Sequence, residues 1–79
     1  MSQSKQTDFL SLAGRLREIL FAKCNPSACK VSSNDHSIRI YGGTAGMIPH
    51  TVIVLTYRFA LEHNLLMYFD TDNPSFVLH

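Results

Sequence analysis

Apolar residues recur at Phe9, Leu12, Ala13, Leu16, Ile19 and Leu20, a spacing of i, i+3, i+4 and i+7 that gathers them on one face of a helix. Arg15, Arg17 and Glu18 fall toward the other side. Thr7 stands where an N-cap belongs, with Asp8 in the first turn, and Asn25-Pro26 ends the run because proline disfavours helical geometry in the residue before it. The pattern predicts a first helix from about Asp8 to Cys24, weakened at Gly14 by about 1 kcal/mol relative to alanine.

From Cys29 the period changes to two. Cys29 and Val31 alternate with Lys30 and Ser32, Ser33-Asn34-Asp35 supplies turn chemistry, and Ile38 and Ile40 alternate with Ser37, Arg39 and Tyr41, which reads as a β-hairpin. The stretch from Gly42 to Gly46 breaks the strand, and Pro49 suits the first turn of a second helix. Thr51 to Tyr57 is rich in β-branched residues that favour a strand, whereas Phe59 to Asn64 has helical composition and a good stop. A strand would run unusually long, so a helix from Met47 to His63 is expected, apolar around most of its circumference. Leu65 to Asp70 and Ser75 to Leu78 then form two short strands around the turn Thr71-Asp72-Asn73-Pro74.

The order α-β-β-α-β-β implies a single small two-layer α+β domain, with a four-stranded, mainly antiparallel sheet and two helices on one face. Residues 1–7 are expected to be a flexible N-terminus, and 8–79 the domain. The order also reads as one αββ unit written twice: a shift of 38 aligns Phe21-Ala22 with Phe59-Ala60 and Ser33-Asn34-Asp35 with Thr71-Asp72-Asn73. With so few identities, it is a topological pseudo-repeat.

Composition adds a reason to look for a partner. Of 79 residues, 46% are apolar and only 16% charged, against roughly 25% charged in ordinary domains, although so short a chain exposes proportionally more surface. The shortage belongs to the C-terminal half, because the first helix has a clear polar side. A net charge of +1 is too small to drive indiscriminate binding to nucleic acid or anionic membranes. Residues 1–8 are polar, without the apolar stretch of a secretory signal, and no window approaches the roughly 18 apolar residues of a membrane span. A cytoplasmic protein is expected.

Candidate chemistry is sparse. Cys24, Cys29, His36, His50 and His63 have no spacing that joins a nucleophile to a base and an orienting acid, so no catalytic residues are assigned and a non-enzymatic protein is expected. The C-x4-C pair Cys24 and Cys29 offers two thiolates where zinc needs four ligands, and the histidines supply no finger-type spacing, so neither metal nor other cofactor is expected. Gly43-Thr44-Ala45-Gly46 has the GxxG spacing of the KH RNA-binding loop, but it follows a strand and contains no basic residue, so it reads as a strand-to-helix turn.

The open sheet face is the remaining candidate. If Ile38, Ile40, Phe76 and Leu78 face the helices, the other face receives Lys30, Arg39, Tyr41, Val77 and His79, together with either Tyr68 and Leu66 or Met67 and Phe69. Two functions follow. The favoured one is a small protein-interaction or regulatory module, homodimeric or binding a partner protein in the manner of phage- or plasmid-type modulators, with Tyr41, Tyr57, Met67, Tyr68, Phe69 and Val77 as its interface. The alternative is an RNA- or single-stranded-DNA-binding protein using Lys30, Arg39, Tyr41, Gly43 and Gly46. The balanced charge favours protein as the partner.

Overall fold

Asp8 caps the first helix. Its carboxylate accepts from the Ser11 backbone N–H at 3.2 Å and from the Ser11 hydroxyl at 2.8 Å, satisfying an amide that a helix start leaves without an internal partner. In the computed structural model, which describes residues 8–43 and 46–79, α1 accordingly runs Phe9–Lys23 with Cys24 as C-cap. Asp8, expected in the first turn behind a Thr7 cap, is thus itself the cap, and Thr7 lies outside the described residues. Ala13, Leu16 and Leu20 are buried, whereas Ile19 is at the edge of the helical stripe and stays exposed.

The second helix, α2, runs His50–Glu62, so it begins later than the Met47 expected from sequence. The reason is Pro49, which is the N-cap in an extended conformation and not a first-turn residue; its carbonyl accepts from Ile53 N–H at 3.1 Å. The proline ring also keeps Ile48 out of the helical region. At the other end Asn64 takes a left-handed φ of 58°, and two bonds close the helix: Leu65 N–H to the Ala60 carbonyl at 2.8 Å, and Asn64 N–H to the Leu61 carbonyl at 3.4 Å. This is the Schellman arrangement, for which asparagine is the usual substitute for glycine. The β-branched run Thr51 to Tyr57 is thus helical, held by the C-terminal cap and by burial of Val52, Thr56, Phe59 and Ala60.

The strands are β1 (Cys29–Ser33), β2 (Ile38–Gly42), β3 (Met67–Asp70) and β4 (Ser75–Leu78), in the spatial order β1-β2-β4-β3 with every pairing antiparallel. The two hairpins therefore join through their second strands. Asn34 Oδ1 accepts from His36 and Ser37 N–H at 2.7 and 2.9 Å, and Asp70 Oδ1 accepts from Asp72 and Asn73 N–H at 3.0 and 3.3 Å, so each hairpin turns on an Asx side chain. The corresponding turn residues are Asn34 and Asp70, whereas a shift of 38 would match Asn34 with Asp72. The pseudo-repeat holds as topology but not as that alignment.

Cross-strand register sets the faces. Val31, Ile40, Phe76 and Phe69 form one row and Ile38, Leu78 and Met67 another, all on the side of the helices. Ala13, Leu16, Leu20, Cys29, Ile38, Ile40, Val52, Phe59, Ala60 and Leu78 form the buried core. Thr56 is a defect in it, since its Oγ1 is buried without a hydrogen-bond partner among the described residues. Thr56→Val keeps the shape and removes the unpaired hydroxyl, so it should stabilise the fold by about 1–2 kcal/mol, read as a raised midpoint in urea unfolding.

Candidate protein interface

The register resolves the outer face of the sheet. Lys30, Tyr41, Ser75 and Asp70 form one row and Ser32, Arg39, Val77 and Tyr68 the next, and the mutual backbone bonds of Leu66 and His79 continue it. Tyr68 and Leu66 therefore point outward, and Met67 and Phe69 point to the helix side. The expected interface residues are thus divided between both faces.

Val77 is a correction to the expected interface. Although it faces outward, it is only 2% exposed, because it lies between Arg39 on one strand and Tyr68 on the other, whose long side chains cover it. It packs within the sheet and offers nothing to a partner. Tyr41 is half-buried, and its hydroxyl accepts from Asn73 Nδ2 at 3.4 Å. Tyr68 meets the His79 ring edge-on, with centroids 5.3 Å apart.

Arg39 is committed internally. Its Nη1 donates to Asp70 Oδ2 and to Ser75 Oγ, both at 3.0 Å, and the Ser75 hydroxyl donates in turn to the Asn73 carbonyl at 2.7 Å. The hydrogen bond from Arg39, reinforced by the turn amides of Asn73 and Asp72, holds the Asp70 carboxyl below the usual carboxylate range, and the same contact raises the Arg39 pKa. A carboxylate with a depressed folded-state pKa contributes stability that is present above its unfolded value of about 3.9 and is lost as pH falls through the folded value. Asp70→Asn should therefore be less stable than the parent at neutral pH, with the difference shrinking in strong acid, as measured by thermal unfolding against pH.

The nucleic-acid candidates are brought together only in part. Lys30 and Gly43 line one cleft of about 430 Å³ with Pro26, Ser27, Cys29 and Gly42. Gly46, with φ 78°, lines a second cleft instead, so the two glycines of the GxxG spacing serve different surfaces. Thr44 and Ala45, between them, lie outside the described residues. Arg39 brings a charge already met by Asp70.

Cys24 and Cys29 are free thiols, Cys24 half-buried at the end of α1 and Cys29 buried in the core. Burial, with a smaller contribution from Cys24, pushes the Cys29 thiol up, away from the thiolate that nucleophilic chemistry uses. Among the described residues no group of three or more His, Cys, Asp or Glu side chains is placed to hold a metal ion. None of their helices is long and apolar enough to cross a membrane.

Exposed apolar side chains lie on α2 and β3, and on α1 at Leu10 and Ile19. Tyr57 and Leu61 are 53% and 60% exposed, and with Val54 they follow the 3–4 spacing of a ridge on the side of α2 away from Val52, Thr56 and Phe59. The equivalent side of α1 carries Ser11, Arg15 and Glu18. On β3, Leu66 just before the strand is 67% exposed, Tyr68 49% and Phe69 44%, while Met67 is half-buried against the core. Phe69 meets Phe76 at 5.0 Å between centroids, and both line the second cleft, also of about 430 Å³, with Met47, Ile48, Ile53 and Pro74. Leu61, Leu66 and Met47 were absent from the residues predicted as an interface. Period-two alternation nominated Leu66, but the exposure of Met47 depends on where α2 begins.

No family model matches the chain, and no curated protein or solved structure is significantly similar to it.

Proposed function

We propose that this chain is a non-enzymatic protein-interaction module that works as a homodimer. The reading is carried by one observation: the β3 edge is apolar and exposed on both faces of the sheet, through Leu66 and Tyr68 on the outer face and Phe69 on the helix side, and α2 adds exposed Tyr57 and Leu61. Exposed aromatic and aliphatic side chains along one edge of a small domain are what a protein interface requires. A regulatory role, exercised by offering the same surface to a second protein, is the variant of this reading for a heterologous partner. A reducing, cytoplasmic setting suits it, since Cys24 and Cys29 are free. The nucleic-acid reading is weaker, because the Arg39 charge is already compensated.

Light scattering after size exclusion, over a dilution series, tests the proposal. The mass should rise from 8.9 kDa toward twice that value with concentration. Tyr57→Glu should shift the series toward monomer, and Arg15→Glu should leave it unchanged. A strict monomer throughout would overturn the homodimer.

A further inference from the structure

The two edges of the sheet differ in chemistry. On β1, the bonds Gly43 N–H to Ala28 carbonyl and Asn34 N–H to Ser37 carbonyl set the ladder phase, so the backbone groups of Cys29, Val31 and Ser33 point away from β2. That edge is defended. Arg17 Nη2 donates to the outward carbonyl of Val31 at 3.0 Å, and Lys30 places a charge on the strand.

On β3, Leu66 and His79 exchange backbone bonds of 2.8 and 3.0 Å, so Tyr68 and Asp70 also bond toward β4, and Met67 and Phe69 direct their N–H and C=O groups to the open edge. Among the described residues nothing pairs with those four groups. From Leu65 to Phe69 there is no charge, no proline and no bulge, and the one carboxylate at the strand end, Asp70, is held by Arg39. Such an edge is a template for another strand.

We propose that β3 pairs antiparallel with β3 of a second copy of this chain, joining the two sheets into one that is continuous across a two-fold axis. The inference rests on the homodimer reading and adds its geometry. In the register that uses only the unpaired groups, Met67 lies opposite Phe69 of the second copy and Tyr68 opposite its own counterpart, so that each Met67–Phe69 pair exchanges two hydrogen bonds. On the helix side these pairs place a thioether against an aromatic ring, and on the outer side the two tyrosines meet across the axis.

A helix flank extends the contact. Ile53 lines the cleft with Phe69 and Phe76, and Tyr57 follows one turn along the same flank of α2. A two-fold perpendicular to the sheet keeps all helices on one face, so the α2 flanks of the two copies meet above the new strand pair. The exposed parts of Leu66, Tyr68, Phe69 and Tyr57 amount to about 450 Å² per protomer, which with the partner's share approaches the roughly 1,000 Å² of a specific but weak interface. A reversible dimer is expected.

Proline substitution distinguishes edge pairing from other modes of association. Met67→Pro and Phe69→Pro each remove an outward N–H while sparing the ladder to β4, and each should raise the dimer dissociation constant at least about tenfold by light scattering, through two lost backbone bonds per dimer. Val31→Pro, at the outward position of the opposite edge, should leave it unchanged. In the parent protein, the Met67 and Phe69 amides should exchange with deuterium more slowly at high concentration than on dilution, a readout that does not depend on the folding of any variant. Equal exchange at both concentrations, or a dimer that survives both β3 prolines but not Tyr57→Glu, would overturn edge pairing and leave the homodimer standing. A parent chain that is monomeric throughout would overturn both.

Discussion

Phe59→Ala should lower the stability of the fold by about 3–5 kcal/mol, the largest effect expected of a side-chain truncation in this protein. Phe59 is among the largest fully buried side chains, it belongs to the core formed by both helices and the sheet, and its ring packs tilted against His63 with centroids 4.3 Å apart. His63 is the C-cap of α2, so the ring also anchors the end of the helix where the chain turns toward β3. Deleting it removes apolar area from the core and leaves a cavity that α2 can close only by shifting inward against its packed neighbours. A chain of 79 residues has a total stability of only roughly 4–12 kcal/mol. Urea unfolding should therefore show either a midpoint shifted far down or a chain already unfolded in buffer, and a loss below about 1 kcal/mol would contradict this account of the core. Phe59→Leu should retain most of the stability.

Two glycines should respond to alanine with opposite signs. A Cβ on Gly43 would overlap the Ser27 carbonyl oxygen and lie 2.7 Å from the Ala28 carbonyl carbon, all of it backbone that cannot rotate aside. Gly43 N–H also donates to the Ala28 carbonyl at 3.1 Å, the last rung joining β1 to β2. Gly43→Ala should destabilise by about 1–3 kcal/mol, as expected when atoms are forced into a closed contact. Gly14 has nothing within 4 Å of its Cβ position and lies inside α1, so Gly14→Ala should stabilise by about 1 kcal/mol. Denaturant midpoints of the two variants, moving apart from the parent, test the pair together. Movement of both in one direction would be inconsistent with the backbone packing at Gly43.

Legibility in sequence followed how local the cause was. The amphipathic spacing from Phe9 to Leu20 and the alternation from Cys29 to Tyr41 located α1 and the first hairpin, because each signal is repeated within a few residues. The end of α2 was legible at His63-Asn64, but its start was not, because proline is acceptable both in a first turn and just before it and the residue type alone leaves both open. Of the proposed interface residues, Tyr57, Tyr68 and Phe69 are exposed, while Val77 is covered by neighbours on two other strands. No alternation pattern encodes that, because Arg39 is 38 positions away in the chain from Val77.

What the sequence determined by itself was the order α-β-β-α-β-β, the antiparallel two-layer class and the concentration of apolar surplus in the C-terminal half. Periodicity and composition suffice for these because the backbone forms helices and strands under local rules. Tertiary structure decided the strand order β1-β2-β4-β3, the outward direction of Tyr68, the pairing of Arg39 with Asp70, and the contrast between a β1 edge guarded by Arg17 and an open edge at β3. Each of these depends on which groups distant in the chain come within a few ångströms, and that is a property of the packed molecule.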